Sequence, residues 1–123
     1  MADELLTRGM DITRKLWGDR TGGPGFPAQK LAPEFFMLVA QFCFGMFWSR
    51  PNLALRDRSL CTVAQLAALG RTEELKAHLA GALNVGLKRE ELIEVLMQTA
   101  CYAGVPAAVN ALNAAADVLQ PTA

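Results

Sequence analysis

The feature of this sequence that most constrains its fold is a nearly continuous apolar stretch, Phe35 to Trp48, which only Gln41 interrupts. Its fourteen residues are too few to cross a lipid bilayer, because a spanning helix needs about twenty. A helix that is apolar on almost every side has to be covered all round. A chain of 123 residues forms one small domain, so we expect a second subunit to cover part of this helix.

The balance of charges argues against a nucleic-acid or membrane partner. Lys and Arg number 12, Asp and Glu also number 12, and no block of like charge stands out. Binding to nucleic acid or to a membrane surface would need clustered basic residues. The first residues, MADELLTRG, carry early acids and no apolar core, so we expect no signal peptide and a cytoplasmic location.

The cysteines do not form a metal-binding pattern. Cys43, Cys61 and Cys101 are far apart, none belongs to a Cys-x-x-Cys pair, and His78 is the only histidine. A structural zinc site needs four such ligands at characteristic spacings, so no metal site is expected. Isolated cysteines in apolar surroundings usually behave as small buried apolar residues, and we expect the same here.

Apolar periodicity and helix-breaking residues predict about six helices and no strand. A Gly- and Pro-rich loop at 18–27 separates the first two helices, and Gly70, Gly86 and Gly104 are natural stops. The predicted helices cover 3–17, 33 to about 48, 55–69, 72 to 86, a segment opened by LKREEL at 87–92, and 106–119. Short connections between helices indicate an all-α bundle, which we predict to be one domain over residues 1–123.

The connection after the apolar stretch is rich in arginine. The segment WSRPNLALRDRSL holds Trp48, Arg50, Arg56 and Arg58 around a helix break at Pro51, because the residue before a proline avoids helical geometry. The simplest interpretation is a solvated link between two helices. The pattern alone leaves open whether these side chains have a further purpose.

His78 is the side chain that titrates near neutral pH without help. It lies on or beside the buried stripe of its predicted helix, where a lone histidine is commonly a structural residue. On the fifth helix Glu94, Gln98 and Tyr102 recur at every fourth position, and Glu91 precedes them by three. A tyrosine ring favours apolar contact, so this polar row either faces water or joins His78 in one pocket.

Several ordered segments resemble those of the carboxymuconolactone decarboxylase family. They are RGMDITRKLWGD at 8–19, WSRPNL at 48–53, EELKAHLAGALNVG at 73–86 and YAGVPAA at 102–108. The resemblance covers nearly the whole chain and is weakest across residues 19–34. It implies the alkylhydroperoxidase-like helical fold, assembly as a homotrimer or a hexamer of paired trimers, and a lyase that needs no cofactor.

The resemblance also implies a reaction and roles for polar residues. The decarboxylase branch removes CO₂ from an unsaturated carboxy-lactone of aromatic-compound breakdown, and we expect this chain to act on that lactone or on a related keto-acid. Under this hypothesis His78 is the general acid that protonates the dienolate, and Glu94 orients it or tunes its pKa. Tyr102 or Gln98 then donates a hydrogen bond to the lactone oxygen.

The same hypothesis gives the arginine-rich connection a function in substrate binding. Arg50, Arg56 and Arg58 are candidate ligands for the substrate's carboxylates, since guanidinium binds a carboxylate through two parallel hydrogen bonds. Trp48 would form the apolar wall of the pocket. An ion-pair cluster at an interface is the competing interpretation for each arginine. We favour Arg58 as the ligand, because it opens the helix that precedes the His78 helix.

Two other functions stay open. The thiol-dependent peroxidase branch of the family uses a Cys-x-x-Cys pair at positions that correspond to Arg71 and Glu74 here, and a relay glutamate at about Ser59. Without such a thiol pair, the chain cannot form and re-reduce a catalytic disulfide at these positions. The alternatives are therefore a thiol peroxidase built from the other cysteines and a helical oligomer module without catalysis.

Overall fold

The secondary structure is helical throughout the residues that this computed structural model describes, which are 2–19 and 23–120. The elements in chain order are α1 (Ala2–Trp17), α2 (Pro27–Leu31), α3 (Pro33–Val39), a π-helical segment (Ala40–Trp48), α4 (Leu55–Leu69), α5 (Thr72–Asn84), α6 (Arg89–Ala103) and α7 (Val105–Ala115). The predicted all-α fold is confirmed. No helix within the described ranges is long and apolar enough to cross a bilayer.

Most helix boundaries lie where glycine and proline predict them. α4 covers the predicted 55–69, and Gly70 and Gly86 follow α4 and α5 with positive φ angles of 73° and 104°, a conformation that glycine adopts without a steric penalty. α7 ends at Ala115, earlier than the predicted 119. Individual glycine and proline residues therefore predict the ends of most of the longer helices.

The sequence pattern does not predict the short helix α2. Its first residue, Pro27, closes the predicted loop, whose residues 20–22 lie outside the described ranges. The Oε1 atom of Gln29 accepts hydrogen bonds from the backbone N–H groups of Gly25 at 2.7 Å and Phe26 at 2.8 Å. This side chain satisfies backbone donors at the start of the helix, a contact that periodicity cannot reveal in five residues.

The apolar stretch is helical as predicted, but its second half has π-helical hydrogen bonding. At its end, the N–H of Ser49 donates to the carbonyl oxygen of Phe44 at 3.1 Å, one residue farther back than in an α-helix. Such segments are rare and commonly occur at functional sites. Hydrophobic periodicity does not distinguish the two helix types over so few turns.

The chain forms two compact units, the first up to Ala54 and the second from Leu55. In the first unit, α1 packs against the π-helical segment. A methyl group on Gly9 would lie 2.0 Å from the carbonyl oxygen of Ala40, and one on Gly45 would lie 2.3 Å from the carbonyl oxygen of Leu5. Since neither position has room for a side chain, glycine lets the two backbones approach this closely.

Large apolar side chains of the first unit are divided between a small core and the surface. The core contains Ile12, Leu16 and Phe44, with the Trp17 ring packed edge-on to Phe44 at 5.7 Å. On α2, α3 and the π-helical segment, the most exposed apolar side chains are Leu31 (87%), Leu38 (60%), Phe35 (58%) and Phe42 (57%). The prediction that this helix is not fully covered within one chain is consistent with these exposures.

The second unit has a denser core. Helices α4 and α7 each pack against both α5 and α6. The core is built from leucines and a valine on α4, α5 and α6 together with alanines on α7: Val63, Leu75, Leu79, Leu92, Leu96, Ala108, Ala111, Ala114 and Ala115. Small side chains on α7 let the neighbouring helices approach closely, and the leucines of this core are almost completely buried. One domain over residues 1–123 stays a prediction.

Candidate active site

His78 lies on α5 within the second unit, beside the stripe formed by Leu75, Leu79 and Ala82, which is fully buried. Its placement next to a buried stripe is as predicted. The Nδ1 atom is inaccessible to solvent, and burial lowers the pKa of His78 to about 4. Desolvation disfavours the charged imidazolium, so His78 of the ligand-free chain is uncharged at neutral pH.

Two of the candidate arginines lie on α4, the helix that packs against α5. Arg58 is half-buried, and its Nε atom is inaccessible to solvent. Arg56 forms an ion pair and a hydrogen bond with Glu91 of α6, and a weaker ion pair with Asp57 at 3.6 Å. The guanidinium of Arg56 is therefore already engaged by carboxylates of its own chain, and both its predicted role toward a substrate and the competing interface ion pair stay predictions.

Glu91 is held by the start of its own helix as well as by Arg56. Its Oε1 atom accepts a hydrogen bond from the backbone N–H of Lys88 at 2.9 Å. This backbone hydrogen bond, followed by the hydrogen bond from Arg56, lowers the pKa of Glu91. The carboxylate thus stays ionised and connects α6 to α4 at one point of the second unit.

The remainder of the polar row on α6 lies at the surface of the chain. Glu94 and Gln98 are exposed, and Tyr102 is 91% exposed. The shared face predicted from the spacing is present, but the described part of the chain does not enclose these side chains in a pocket with His78. The predicted roles of Glu94, Gln98 and Tyr102 stay predictions.

Trp48 and Arg50 belong to the first unit. Trp48 is half-buried, with its ring centroid 5.5 Å from that of Phe44. Arg50 is exposed, and its backbone N–H donates to the carbonyl oxygen of Phe47 at 3.1 Å. Trp48 is therefore part of an aromatic cluster around Phe44, and its predicted role as a pocket wall, like that of Arg50 as a carboxylate ligand, stays a prediction.

Sequence reasoning missed one polar residue of the second unit. Ser59 on α4 is completely buried, and its Oγ atom has no hydrogen-bond partner among the described residues. A buried hydroxyl without a partner is uncommon. Its position four residues before Val63 places it on the buried face of α4, a spacing that could have identified it.

The cysteines are more accessible than predicted. Cys43 is half-buried, and its burial raises the pKa of the thiol, but Cys61 and Cys101 are exposed. The prediction that all three are buried is therefore wrong for these two, because each lies on the outer face of its helix. All three thiols are free. Across the described ranges, His, Cys, Asp and Glu side chains do not gather into a cluster of three that could hold a metal ion.

Comparison with known proteins identifies the family. Residues 33–117 match the model of the carboxymuconolactone decarboxylase family, and because the match covers more than half of the chain, the chain belongs to this family. It is 40% identical over 87 residues to 4-carboxymuconolactone decarboxylase of Acinetobacter baylyi, a match covering 71% of this chain and 65% of that protein. The resemblance seen in the sequence segments is confirmed.

The chain is also similar to two further proteins. A nitrosuccinic acid decarboxylase of Metarhizium robertsii is 32% identical over 75 residues, covering 61% of this chain and 52% of that protein. An uncharacterised 15.0 kDa protein of Paracoccus denitrificans is 28% identical over 92 residues, covering 73% of this chain and 69% of that protein. The chain thus spans just under two thirds of the Acinetobacter protein and about half of the fungal one.

Proposed function

We propose that this protein is a cofactor-free carboxy-lyase of the cytoplasm that acts on an unsaturated carboxy-lactone, or a related keto-acid, of aromatic-compound breakdown. The observation that carries this proposal is the 40% identity to a protein named 4-carboxymuconolactone decarboxylase. A second relative is named a decarboxylase of a different acid, nitrosuccinic acid. The reaction class is therefore better supported than the substrate.

The chemistry of such a substrate explains what the protein has to supply. When CO₂ leaves, the electron pair of the broken C–C bond spreads through the ring double bond onto the lactone carbonyl oxygen, giving a dienolate. The substrate thus carries its own electron sink, a task that a cofactor performs in other decarboxylations. The protein has to hold carboxylates, stabilise the developing oxyanion and deliver a proton to carbon.

His78 is the proposed proton donor, and its burial sets a condition on that role. With a pKa of about 4 in the ligand-free chain, roughly one molecule in a thousand carries the imidazolium at pH 7. A bound carboxylate near the ring favours the charged form and raises the pKa. Substrate binding would therefore charge the acid that the reaction uses, while Glu94 serves as the orienting group proposed above.

Arg58 is the proposed main ligand of a substrate carboxylate. It is half-buried on the helix that packs against the His78 helix, and partial burial strengthens a guanidinium–carboxylate pair. Arg56 is paired with Glu91, so a substrate carboxylate would have to compete with that side chain. We therefore expect Arg58 to contribute more to substrate affinity than Arg56.

Self-association as a homotrimer or a hexamer of paired trimers is part of this proposal. It is supported by the exposure of Leu31, Phe35, Leu38 and Phe42 in the first unit, because contiguous exposed apolar side chains commonly mark subunit contacts. Static light scattering at micromolar concentration measures the assembly directly. A monomer would contradict this part of the proposal.

The reaction is tested by a ligand screen followed by an activity assay. Carboxy-lactones and 3-oxo acids are first tested for a rise in melting temperature, and those that bind are then tested for CO₂ release. We expect at least one lactone to do both, and we expect the variant with Cys43, Cys61 and Cys101 all replaced by Ser to retain the activity.

Each alternative function predicts a different result. Loss of activity in the cysteine-free variant, together with peroxide consumption by the native chain, would indicate the thiol peroxidase. Absence of both ligand binding and CO₂ release would indicate the oligomer module. Either result would contradict the lyase proposal.

A further inference from the structure

The first unit contains a cavity whose lining includes none of the residues proposed for the reaction. It has a volume of about 450 Å³ and lies between α1, α2, α3 and the start of the π-helical segment. Its walls are mainly apolar, with Leu6, Met10, Phe26, Phe36 and Met37 among the lining residues. Cavities of 300–1,000 Å³ with apolar walls and a few polar groups are typical of small-molecule sites.

Much of this cavity is built outside the part of the chain that matches the family. The match begins at residue 33, whereas Leu6, Met10 and the lining residues of the 25–30 segment precede it. This segment is also the one where the sequence resemblance is weakest. The cavity is therefore lined partly by residues outside the matched range and partly by Pro33, Phe36, Met37 and Ala40 within it.

The cavity lining carries a positive charge. Among the described lining residues Lys30 is the charged one, and no carboxylate of the described chain lies within ion-pairing distance of its ammonium group. Its side chain is exposed, and the flexible stem of a lysine lets the ammonium group reach the cavity mouth while its methylene groups stay on the apolar rim. The site thus combines an apolar interior with a single cation.

The size of the interior limits the ligand. A volume of about 450 Å³ suits a small molecule rather than a macromolecular segment. One lysine balances a single negative charge, and a sugar or nucleotide would leave its hydroxyl groups unpaired against apolar walls, which costs free energy. The ligand that matches both the walls and the charge has a hydrocarbon body and one anionic end.

We propose that this cavity binds an apolar monoanion, a carboxylate with a hydrocarbon chain or ring, with Lys30 pairing with the anionic end. The cavity belongs to the first unit and His78 to the second, and the proposal does not depend on the reaction proposed above. Binding requires the body of the ligand to replace water along the apolar walls, so affinity comes mainly from the body, and Lys30 selects anions over neutral molecules.

Isothermal titration calorimetry with sodium octanoate and with octan-1-ol tests the proposal on the native full-length chain. The two probes share a chain length and differ in charge. We expect octanoate to bind at one site per chain and more tightly than octan-1-ol. Lys30→Gln should weaken octanoate binding about two- to five-fold, the range of an exposed ion pair, and leave octan-1-ol binding unchanged.

Three control variants locate the site. Met37→Trp, at a half-exposed position that tolerates a larger side chain, should fill the cavity and weaken both probes. Lys88→Gln, an exposed lysine of the second unit, should change neither, and His78→Gln should also leave octanoate binding unchanged. Far-UV circular dichroism checks that each variant is folded.

The proposal is overturned by any of three results. The first is no saturable octanoate binding by the native chain. The second is equal octanoate affinity in the native chain and in folded Lys30→Gln. The third is loss of octanoate binding in His78→Gln with retention in Met37→Trp, which would place the anion at the proposed active site.

Discussion

The two compact units bury their apolar residues in opposite ways. In the second unit, Leu79 and Leu96 are completely buried among four helices that pack on one another. In the first unit, Leu31 of α2 and Leu38 of α3 are largely exposed, and α1 meets the π-helical segment at two glycines that have no room for a side chain. The second unit therefore has a dense core of its own, whereas the first depends on close backbone contact and on whatever covers its apolar face.

The stability of the two units therefore depends on different features of the sequence. Stability of the second unit rests on the volume of side chains, since buried leucines contribute through the area that they remove from water. Stability of the first unit rests on the absence of side chains at Gly9 and Gly45. The proposed catalytic histidine lies in the unit with the dense core, where burial controls its pKa.

The largest expected effect comes from truncating a buried leucine of the second unit. Leu96→Ala should lower the free energy of unfolding by about 2–5 kcal/mol, because a cavity remains where the side chain was. Leu38→Ala is the matched variant in the first unit: its side chain is 60% exposed within one chain, so any cost beyond about 0.5 kcal/mol should appear as weaker self-association rather than as loss of a core contact. Urea denaturation of both variants measures the difference, and equal losses would contradict the contrast between the units.

Next in size is the glycine crossing of the first unit. Gly9→Ala would place a methyl group 2.0 Å from the Ala40 carbonyl oxygen, and separating the two backbones should cost about 3 kcal/mol. Gly23→Ala is the control, since its methyl group would lie 3.3 Å from the nearest atom, in the Gln29 side chain, a contact that a shift of a few tenths of an ångström relieves. Thermal denaturation should show a clearly lower melting temperature for Gly9→Ala than for Gly23→Ala. Equal melting temperatures would show that the two backbones lie farther apart in solution than in the structure.

The third prediction concerns His78 and pH. Its pKa is lowered from 6.5 to about 4 in the folded chain, so between these values the unfolded chain binds a proton that the folded chain does not. Stability is therefore lost as the pH falls through this window, by about 3 kcal/mol in total. His78→Gln removes this contribution. Urea denaturation at pH 7 and pH 4.5 should show a smaller loss for the variant, and equal losses would mean that His78 is not buried in solution.

The smallest effect is expected at the ion pair between Arg56 and Glu91. Glu91→Gln removes the charge but keeps an oxygen that can accept from the Lys88 N–H, and both partners are partly exposed. We expect a slight fall in melting temperature that disappears in 1 M NaCl, because salt screens exposed pairs. Glu90→Gln, on the same turn and more exposed, is the control. A large fall in melting temperature that persists in 1 M NaCl would show that this pair contributes substantially to the stability of the second unit.

Much of the fold could be predicted because its signals are local. Pro33 at the start of α3, the break at Pro51 and the glycines after α4 and α5 each act through their own backbone. The π-helical geometry and α2 could not be predicted, because hydrophobic periodicity does not distinguish helix types over a few turns and gives no signal in five residues. The close approach of Gly9 to the Ala40 backbone could not be predicted either, because a glycine within a helical pattern does not indicate which segment packs against it.

The candidate site was predictable only in part. The spacing around His78 correctly indicated a place beside a buried stripe, since side chains three and four residues apart share a face. The same reasoning showed that Glu94, Gln98 and Tyr102 share a face but could not show that this face is exposed. Periodicity identifies neighbours on one helix, whereas burial depends on which other helices, or other subunits, pack there.

The central claim is that His78 supplies the proton in a decarboxylation, and the most direct test is the rate of CO₂ release from the confirmed lactone substrate by the native chain and by His78→Gln. A positioned proton donor is typically worth about 10²–10⁴-fold in rate, so we expect kcat to fall by that factor while circular dichroism and light scattering show an unchanged fold and assembly. A folded His78→Gln variant that releases CO₂ at the native rate would contradict the account and move the acid role to another residue.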